Sequence, residues 1–464
     1  MHSLLNDNQG QYEALAKRLG NAEFKQEYGV QYAYLSGAMY RGTASKELVV
    51  AMGNAGMLGF LGVGGLKLDQ VEQDIHYIQN ELSNGQAYGM NLLCDLMHPE
   101  EEMKTVELYL RLGVKTVEAA AFLTITPALV YYRLKGLRED SDGNMVCDHN
   151  IIAKVSRPEV AQAFMSPAPS SIVRQLLADN KISQAQAQWS ESLPMSGDIC
   201  VEADSGGHTD QGVAAVLLPT MQNLRKAIMT QFNYPKAIRI GLAGGIGTPQ
   251  AAAAAFVMEA DFILTGSINQ CTVEAGTSNA VKDMLQDMNI QDTDYAPAGD
   301  MFELGAKVQV LKKGVFFPVR ANKLFMLYSH YGSLDEIPQK IQSQIQNQYF
   351  QKSFDEIWQE TCDYYRKTGR AEIPEKALRH PKGKMAMVFR WYFMQSSRLA
   401  FAGDVDNRTD FQVHTGPALG AFNQWVKGTD LESWRDRYVS NIGKLLMLET
   451  AQLLDKRFQI LFGV

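Results

Sequence analysis

The sequence predicts an eight-stranded TIM-type β/α barrel followed by a C-terminal helical domain. Short apolar runs alternate with helical patterns in eight units of roughly thirty residues, which is the repeat of a closed barrel. Two consecutive late strands end in small residues, Gly244-Gly245 and Gly266-Ser267, and beyond Leu334 the chain turns helical and aromatic. We therefore expect a lead-in over residues 1–29, a barrel over residues 30–330 and a helical domain over residues 331–464.

The predicted barrel strands are short apolar runs, each followed by a helical pattern. They comprise residues Val30–Ala38, Met57–Val63, Tyr88–Leu93, Lys115–Ala120, Ile151–Val155, Ile199–Ala203, Ile238–Gly247 and Phe262–Ser267. The predicted helices begin at about Ser45, Asp69, Pro99, Thr126, Arg157 and, in an extra element, Ser170. Thr248 and Pro249 suit the N-cap and first position of an alanine-rich helix after the seventh strand.

Three segments depart from this alternation. The polar stretch Lys135–Asn150 interrupts the alternation, and Asp140–Asn144 within it is predicted to be a surface loop. Met301–Lys323 is predicted to be strand-like and is rich in lysine and arginine. Met385–Phe401 is apolar but carries Arg390 and Arg398, which favours a buried helix over a membrane span.

Composition excludes several classes of function. The chain has 464 residues, a net charge of −7 and no long basic run, so a nucleic-acid partner is not expected. Its five cysteines lack paired spacing, which argues against disulfides and a zinc site, and no metal site is expected. The first residues lack the pattern of a signal peptide. We expect a soluble cytoplasmic protein that does not associate with membranes.

The segment Glu202–Asp210 follows the sixth predicted strand and contains Gly206, Gly207 and His208. Adjacent glycines at the end of a strand allow the backbone to approach a ligand closely, because no Cβ intervenes. Histidine is the residue type that exchanges protons near neutral pH. The segment is either part of a binding site or a tight turn with an imidazole facing solvent.

Side chains at the C-terminal ends of barrel strands converge on one site. Those ends supply Ala38, Met39, Asn91, Glu118, Lys154, Gly206, Gly207, His208, Gly244, Gly245, Gly266 and Ser267. The set is rich in glycine, contains an amide and one lysine, and lacks the paired carboxylates of glycoside hydrolysis. It contains no Gly-x-Ser-x-Gly motif for acyl transfer and no Walker lysine motif. These strand ends therefore suit a flat, anionic cofactor better than they suit glycoside hydrolysis.

Several motifs together resemble one family. They are Glu202–Asp210, Leu242–Ile246, Leu264–Ser267, Asp300–Gly305, Phe389–Tyr392 and Gly416–Asn423. This set is similar to the PfaD-type enoyl reductases, which are trans-acting subunits of polyunsaturated fatty acid and polyketide assembly lines. That family is related to FMN-dependent enoyl-acyl carrier protein reductases and to nitronate monooxygenases. The resemblance covers nearly the whole chain, and the last two motifs separate it from the smaller relatives.

The resemblance implies FMN at the mouth of the barrel. Backbone N–H groups of Gly244, Gly245, Gly266 and Ser267 would then hold its phosphate. Ala38, Met39, Asn91 and Lys154 would line the isoalloxazine ring and ribityl chain, and Lys154 would stabilise negative charge on the reduced flavin. The alternative for Lys154 is a side chain that extends from a strand end to solvent.

The resemblance makes His208 the catalytic candidate, and leaves open whether it donates a proton or positions the thioester. The implied reaction moves hydride from NAD(P)H through FMN to the β-carbon of an α,β-unsaturated thioester on an acyl carrier protein. A homodimer is also implied by the relatives. Two alternatives remain: an FMN oxidase of nitronates, and a non-catalytic scaffold. Two basic stretches, Lys307–Lys323 and Arg379–Lys384, are candidate contacts for the carrier, which is usually acidic.

Overall fold

The computed structural model describes residues 9–96 and 98–463, so the first eight residues of the predicted lead-in lie outside the described chain. The chain forms two compact units. The first contains the residues up to Asp204, then Gln211–Gly276, and the residues from Trp425 onward. The second contains Ser205–Asp210 and Thr277–Gln424. The limits of these units therefore differ from the domain limits predicted at residues 30 and 330.

The strands are short and number thirteen in the described residues. In chain order they are β1 (Tyr34–Ser36), β2 (Leu58–Leu61), β3 (Gly89–Leu93), β4 (Thr116–Ala120), β5 (Leu137–Glu139), β6 (Met145–Cys147), β7 (Asn150–Val155), β8 (Asp198–Glu202), β9 (Gly207–Thr209), β10 (Arg239–Ala243), β11 (Ile263–Thr265), β12 (Thr293–Pro297) and β13 (Lys307–Leu311).

The α-helices are more numerous. Those of the first unit are α1 (Gln9–Arg18), α2 (Ala22–Tyr28), α3 (Lys46–Asn54), α4 (Leu68–Glu81), α5 (Pro99–Arg111), α6 (Pro127–Lys135), α7 (Pro158–Met165), α8 (Ser170–Ala178), α9 (Gln184–Trp189), α10 (Ala214–Phe232) and α11 (Pro249–Val257). They continue in the second unit with α12 (Asn279–Gln286), α13 (Phe317–His330), α14 (Gln339–Ile345), α15 (Phe354–Lys367), α16 (Glu372–Leu378), α17 (Pro381–Ala402) and α18 (Pro417–Trp425), and α19 (Val439–Phe462) belongs to the first unit again.

Eight parallel strands close into a barrel, which confirms the predicted fold class. Their order is β1-β11-β10-β8-β7-β4-β3-β2, and β2 pairs with β1 to complete the ring. Each predicted strand overlaps an observed one, although β7 and β8 begin one residue earlier than predicted. The predicted starts of α3, α6 and α11 are also observed, and each has a side-chain cap. The hydroxyls of Ser45, Thr126 and Thr248 accept hydrogen bonds from backbone N–H groups in the first turns of α3, α6 and α11.

Helix α2 closes the N-terminal end of the barrel. Phe24 is fully buried, and its ring stacks on that of Phe262 with the ring centres 4.5 Å apart. The hydroxyl of Tyr28 donates a 2.8 Å hydrogen bond to Asp198, the first residue of β8. The part of the predicted lead-in that the structure describes is thus integral to the barrel.

A buried ion pair joins the starts of two neighbouring barrel strands. Arg239 and Asp198 are register partners in β10 and β8. The guanidinium donates two hydrogen bonds to the Asp198 carboxylate, at 2.6 and 2.7 Å. A third goes to Glu27 at 3.1 Å. Such a two-pronged pair satisfies both charges only in this register.

The last helix of the chain supplies the eighth helix of the barrel. Helix α19 packs against α1, α3 and α11, which are all in the first unit. Gly443 allows this packing, because a Cβ there would lie 2.8 Å from the ring of Tyr34 and 2.8 Å from the sulfur of Met57. The second unit is therefore an insertion between strand β11 and the helix that completes its βα unit.

The second unit combines a three-stranded antiparallel sheet, in the order β12-β13-β9, with helices around an aromatic core. Phe302 contacts Phe393, with ring centres 5.4 Å apart, and Phe317 contacts both Phe393 and Tyr392. Helix α17 contains the apolar stretch Met385–Phe401, as predicted. Among the described residues, no helix combines the length and hydropathy that a bilayer crossing requires.

One local prediction was confirmed and another was wrong. The predicted surface loop Asp140–Asn144 is the turn of a hairpin formed by β5 and β6. Met301–Lys323 is a strand only over Lys307–Leu311 and becomes helical at Phe317. Gly314, with a positive φ of 75°, turns the chain there, and Pro318 at the start of α13 suits the first helical turn.

We predict that Arg239→Met will destabilise the protein strongly. The substitution leaves the Asp198 carboxylate buried without its ionic partner, which costs about 3–5 kcal/mol. Chemical unfolding followed by far-ultraviolet circular dichroism measures the change. Arg111→Met is the control, because Arg111 pairs with Glu72 on the surface and its loss should barely move the unfolding midpoint. Equal midpoints for the two variants would contradict the role assigned to the buried pair.

Candidate active site

In the first unit, the predicted site residues lie at one edge of the barrel. Ala38 and Met39 follow β1, Asn91 is in β3, and Lys154 is in β7. The two small-residue pairs follow β10 and β11, which are neighbours in the barrel, and β11 also pairs with β1. The C-terminal ends of parallel strands share one edge, so the structure brings these residues to the same face.

The loop after β10 contains two glycines whose conformations favour glycine. Gly244 and Gly245 both have positive φ angles, of 90° and 74°. A Cβ at Gly244 would lie 2.5 Å from the carbonyl oxygen of Ala203, so this position admits only glycine. At Gly245 and Gly266, by contrast, a Cβ would meet nothing within 4 Å. The two strand ends therefore border open space, and the N-terminus of α11 follows directly.

The loop after β1 is fixed by a glycine that sequence reasoning did not single out. A Cβ at Gly62, just after β2, would lie 1.7 Å from the carbonyl oxygen of Met39. The chain that carries Ala38 and Met39 thus crosses the end of β2 at backbone contact distance. Only the structure reveals this requirement, because a single glycine after a strand is common in any sequence.

Lys154 forms a buried charge cluster with two carboxylates. Its Nζ lies 3.3 Å from Glu118 and 3.4 Å from Glu202, and 16% of its side chain is exposed. Burial acts to lower the pKa of Lys154, but the two carboxylates outweigh it and raise the pKa above its ordinary value. Lys154 is therefore a cation held in place at the mouth of the barrel. The alternative, a lysine side chain that extends to solvent, does not agree with these contacts.

Glu118 organises the surroundings of Lys154. Its side chain is completely buried, and burial raises the pKa of the carboxyl although Lys154 acts in the opposite direction. One oxygen accepts a 3.0 Å hydrogen bond from the backbone N–H of Ala38, and Asn91 donates to the Glu118 carbonyl at 3.2 Å. From the sequence, Glu118 is predicted only to lie at the end of a strand. A glutamate in the apolar run Thr116–Ala120 was the available signal.

Gly206, Gly207 and His208 belong to the second unit. Strand β9 places them beside β13, with His208 opposite Val308. Gly206 allows close backbone packing, since a Cβ there would lie 2.7 Å from Thr415. Gly207 has a positive φ of 86°, which favours glycine. This pairing between segments about a hundred residues apart could not be predicted from the Glu202–Asp210 motif.

His208 is paired with a carboxylate that sequence reasoning left without a role. Its Nε2 lies 3.0 Å from Asp300, and half of the His208 side chain is exposed. Burial acts to raise the pKa of Asp300, but His208 lowers it below its ordinary value. A histidine held by a carboxylate in this way can bind or release a proton in a fixed orientation. Asp300 is the first residue of the motif Asp300–Gly305, which was the signal for it in the sequence.

A second histidine, His414, accompanies the pair. Its Nε2 lies 2.8 Å from the Nε2 of Gln412, so the amide donates to a neutral ring. Burial and the nearby His208 lower the pKa of His414 to about 4, while Asp300 acts in the opposite direction. His414 thus remains uncharged at neutral pH.

Two curated relatives match most of this chain. The polyketide biosynthesis protein PksE of Bacillus subtilis is 57% identical over 447 residues, which are 96% of this chain and 58% of PksE. The polyketide biosynthesis protein ThaF of Burkholderia thailandensis is 51% identical over 450 residues, 97% of this chain and 38% of ThaF. The chain therefore spans less than two thirds of either relative.

A protein from a different kind of assembly line is also similar. A polyunsaturated fatty acid synthase polypeptide from Thraustochytrium sp. is 44% identical over 419 residues. The match covers 89% of this chain and 28% of that polypeptide. The similarity thus extends to synthases of polyunsaturated fatty acids as well as of polyketides.

A solved structure matches the chain from end to end. The crystal structure of the enoyl reductase domain of MlnA, from the macrolactin biosynthesis cluster of Bacillus amyloliquefaciens, has a TM-score of 0.92 and 48% identity. The match covers 96% of this chain and 99% of that domain. A family model described as acyl-carrier-protein S-malonyltransferase, inserted helical domain, matches residues 331–411.

We predict that stability decreases as the pH falls from about 6.5 to about 4. In this window an unfolded histidine, with a pKa of about 6.5, binds a proton that the folded His414 does not, so acid favours unfolding. The loss should approach roughly 2–3 kcal/mol and level off below the folded pKa. Urea unfolding by tryptophan fluorescence at several pH values measures it. His414→Gln should show a smaller decrease, and an identical pH profile for both proteins would contradict the assignment.

Proposed function

This chain belongs to the PfaD-type enoyl reductases of polyketide and polyunsaturated fatty acid synthases, and on that premise we propose that it is a trans-acting, FMN-dependent enoyl reductase. It would reduce the α,β-double bond of an acyl thioester carried by an acyl carrier protein, with NAD(P)H as the hydride source. The observation that carries this proposal is the 48% identity to the MlnA enoyl reductase domain over 96% of the chain.

The residues at the barrel mouth fit FMN. Gly244, Gly245, Gly266 and Ser267 would hold the phosphate with backbone N–H groups, since the space beside Gly245 and Gly266 is open. Ala38, Met39, Asn91 and Lys154 would line the remainder of the cofactor. When bound, FMN supplies the relay of hydride from NAD(P)H to the β-carbon of the substrate. The contribution of Lys154 would be a positive charge that persists across the physiological pH range, because its pKa is raised.

The proton that completes the reduction would come from His208. Hydride addition to the β-carbon creates negative charge on the thioester oxygen, and protonation at the α-carbon removes it. Asp300 accepts from Nε2 of His208, which would stabilise the protonated ring and fix its orientation. We infer that Asp300 is a positioning residue, and that the pair favours proton donation over mere orientation of the thioester.

An acyl carrier protein is the proposed partner. The family model that matches residues 331–411 describes an inserted helical domain of an enzyme named for its action on acyl carrier protein, which supports a carrier as partner for this segment. The deciding assay compares NAD(P)H oxidation with a crotonyl thioester against oxygen uptake with a nitronate. Oxygen uptake alone would favour the oxidase alternative. A purified protein that releases no FMN on denaturation and lacks both activities would favour the scaffold.

We predict that Gly245→Val gives a folded protein that binds little FMN. The new side chain would enter the open space assigned to the phosphate. Gly85→Val is a matched control, because Gly85 has a similar φ of 79°, against 74° for Gly245, and also has open space around it. Both variants should show comparable backbone strain by thermal unfolding, but only Gly245→Val should lose flavin absorbance. Full FMN content in Gly245→Val would refute the phosphate assignment.

We predict that His208→Ala retains FMN and its reduction by NAD(P)H but loses enoyl reduction by about 10²–10³-fold, the effect of losing one donor to a developing charge. Stopped-flow absorbance separates the two half-reactions. Asp300→Asn should keep His208 in place but shift the pH profile of the second half-reaction, which a purely structural residue would not do. Unchanged enoyl turnover in His208→Ala would reduce His208 to a turn residue.

A further inference from the structure

Basic side chains are concentrated on one part of the second unit. Within residues 366–384, seven residues are lysine or arginine and two are acidic, although the whole chain has a net charge of −7. The basic residues are Arg366, Lys367, Arg370, Lys376, Arg379, Lys382 and Lys384. They lie in α15, α16 and α17 and in the short segments that connect these helices, which pack against one another. We refer to these seven residues as the basic surface.

The other basic stretch noted in the sequence does not form such a surface. Arg320 is paired with Asp410 beneath the surface, and Lys313 contacts Asp292 and donates to the carbonyl oxygen of Asp287. Lys307 lies over the ring of Tyr295. The charges of these three side chains are engaged within the second unit, whereas Lys312 and Lys323 form no ion pair in the described residues.

Two lysines of the basic surface contact other side chains of the second unit. Lys382 lies 4.9 Å from the ring centre of Tyr328, and Lys384 lies 5.4 Å from that of Trp358 and 4.0 Å from Asp355. Lys367, Lys376 and Arg379 differ, because they are exposed and form no ion pair within the described chain. Charge held in solvent without a counter-charge is available for an incoming partner.

Apolar side chains lie among these charges. Leu378 is 57% exposed and Tyr364 is 44% exposed, and both belong to the helices that carry the basic surface. A protein-docking surface typically combines a few apolar or aromatic contacts with a charged rim. A binding surface for nucleic acid would instead need a longer basic stripe.

We propose that the basic surface is the docking site for the acyl carrier protein, with Lys367, Lys376 and Arg379 as its steering charges. The proposal rests on the proposed function, because it assumes a carrier-bound substrate. Carrier proteins are usually acidic and present their acyl group on a phosphopantetheine arm whose phosphodiester is anionic. An overall charge of −7 would repel such a partner, so a local basic surface is what association requires.

The test reverses the three charges in the 464-residue chain, as Lys367→Glu, Lys376→Glu and Arg379→Glu together. We expect kcat/KM for crotonyl loaded on an acidic holo-carrier protein to fall about tenfold at low salt, with most of the loss disappearing at high salt. Turnover of a short, free crotonyl thioester should not change, because that substrate needs no docking. The control variant carries Lys226→Glu, Lys340→Glu and Lys427→Glu, three exposed lysines without ion pairs in the described residues.

The outcomes separate this inference from the proposed function. If the wild-type protein reduces neither substrate, the proposed function fails. If it reduces both and the triple variant keeps full activity on the carrier-bound substrate, the docking site is refuted. Equal losses in the triple and control variants would assign the effect to net charge alone, and equal losses on both substrates would assign it to altered folding. Either result also refutes the site, as would salt-sensitive binding of anionic lipid vesicles without any effect on carrier turnover.

Discussion

The barrel depends on two charges buried at the start of neighbouring strands. Asp198 and Arg239 are 3% and 6% exposed, and removing such charges from water costs several kcal/mol per ion. That cost is offset only when β8 and β10 are in register and α2 supplies the hydroxyl of Tyr28 and the carboxylate of Glu27. The pair therefore favours a single register of β8 and β10, and it fixes the position of α2 at the N-terminal end of the barrel. With that end sealed by α2, the opposite edge can bear loops and a ligand.

The opposite edge of the barrel carries a second charge cluster, which is partly exposed and incompletely hydrogen-bonded. Lys154 and Glu202 retain 16% and 24% exposure, and one oxygen of the buried Glu118 lies 3.3 Å from Lys154 without the geometry of a hydrogen bond. Buried polar groups that the fold leaves incompletely satisfied are uncommon and tend to occur at functional sites. The first cluster has the geometry of a structural pair, and we propose that a ligand completes the second.

The alternation of apolar runs and helical patterns was sufficient to predict the eight barrel strands and the capped starts of α3, α6 and α11, because these features depend on local sequence. The role of α19 as the eighth barrel helix was not predictable, since its partners α1, α3 and α11 are distant in sequence. The same holds for the pairing of His208 with Asp300, 92 residues away. The loops that carry Gly244, Gly245 and Gly266 were predicted. The contacts of Gly62 with Met39 and of Glu118 with Ala38 and Lys154 were not, because they depend on how distant segments pack.

The order of elements explains why the end of β8 and the histidine that follows it are controlled by different parts of the chain. Glu202 is the last residue of β8, and His208 follows six positions later, yet its backbone is held by β13 and its ring by Asp300. Both partners are encoded in the insertion between β11 and α19. The barrel sequence can thus fix the glycine loops and Lys154, while the inserted sequence sets the orientation of His208. Changes in the insertion can alter the proposed proton-transfer step without altering the residues assigned to the cofactor.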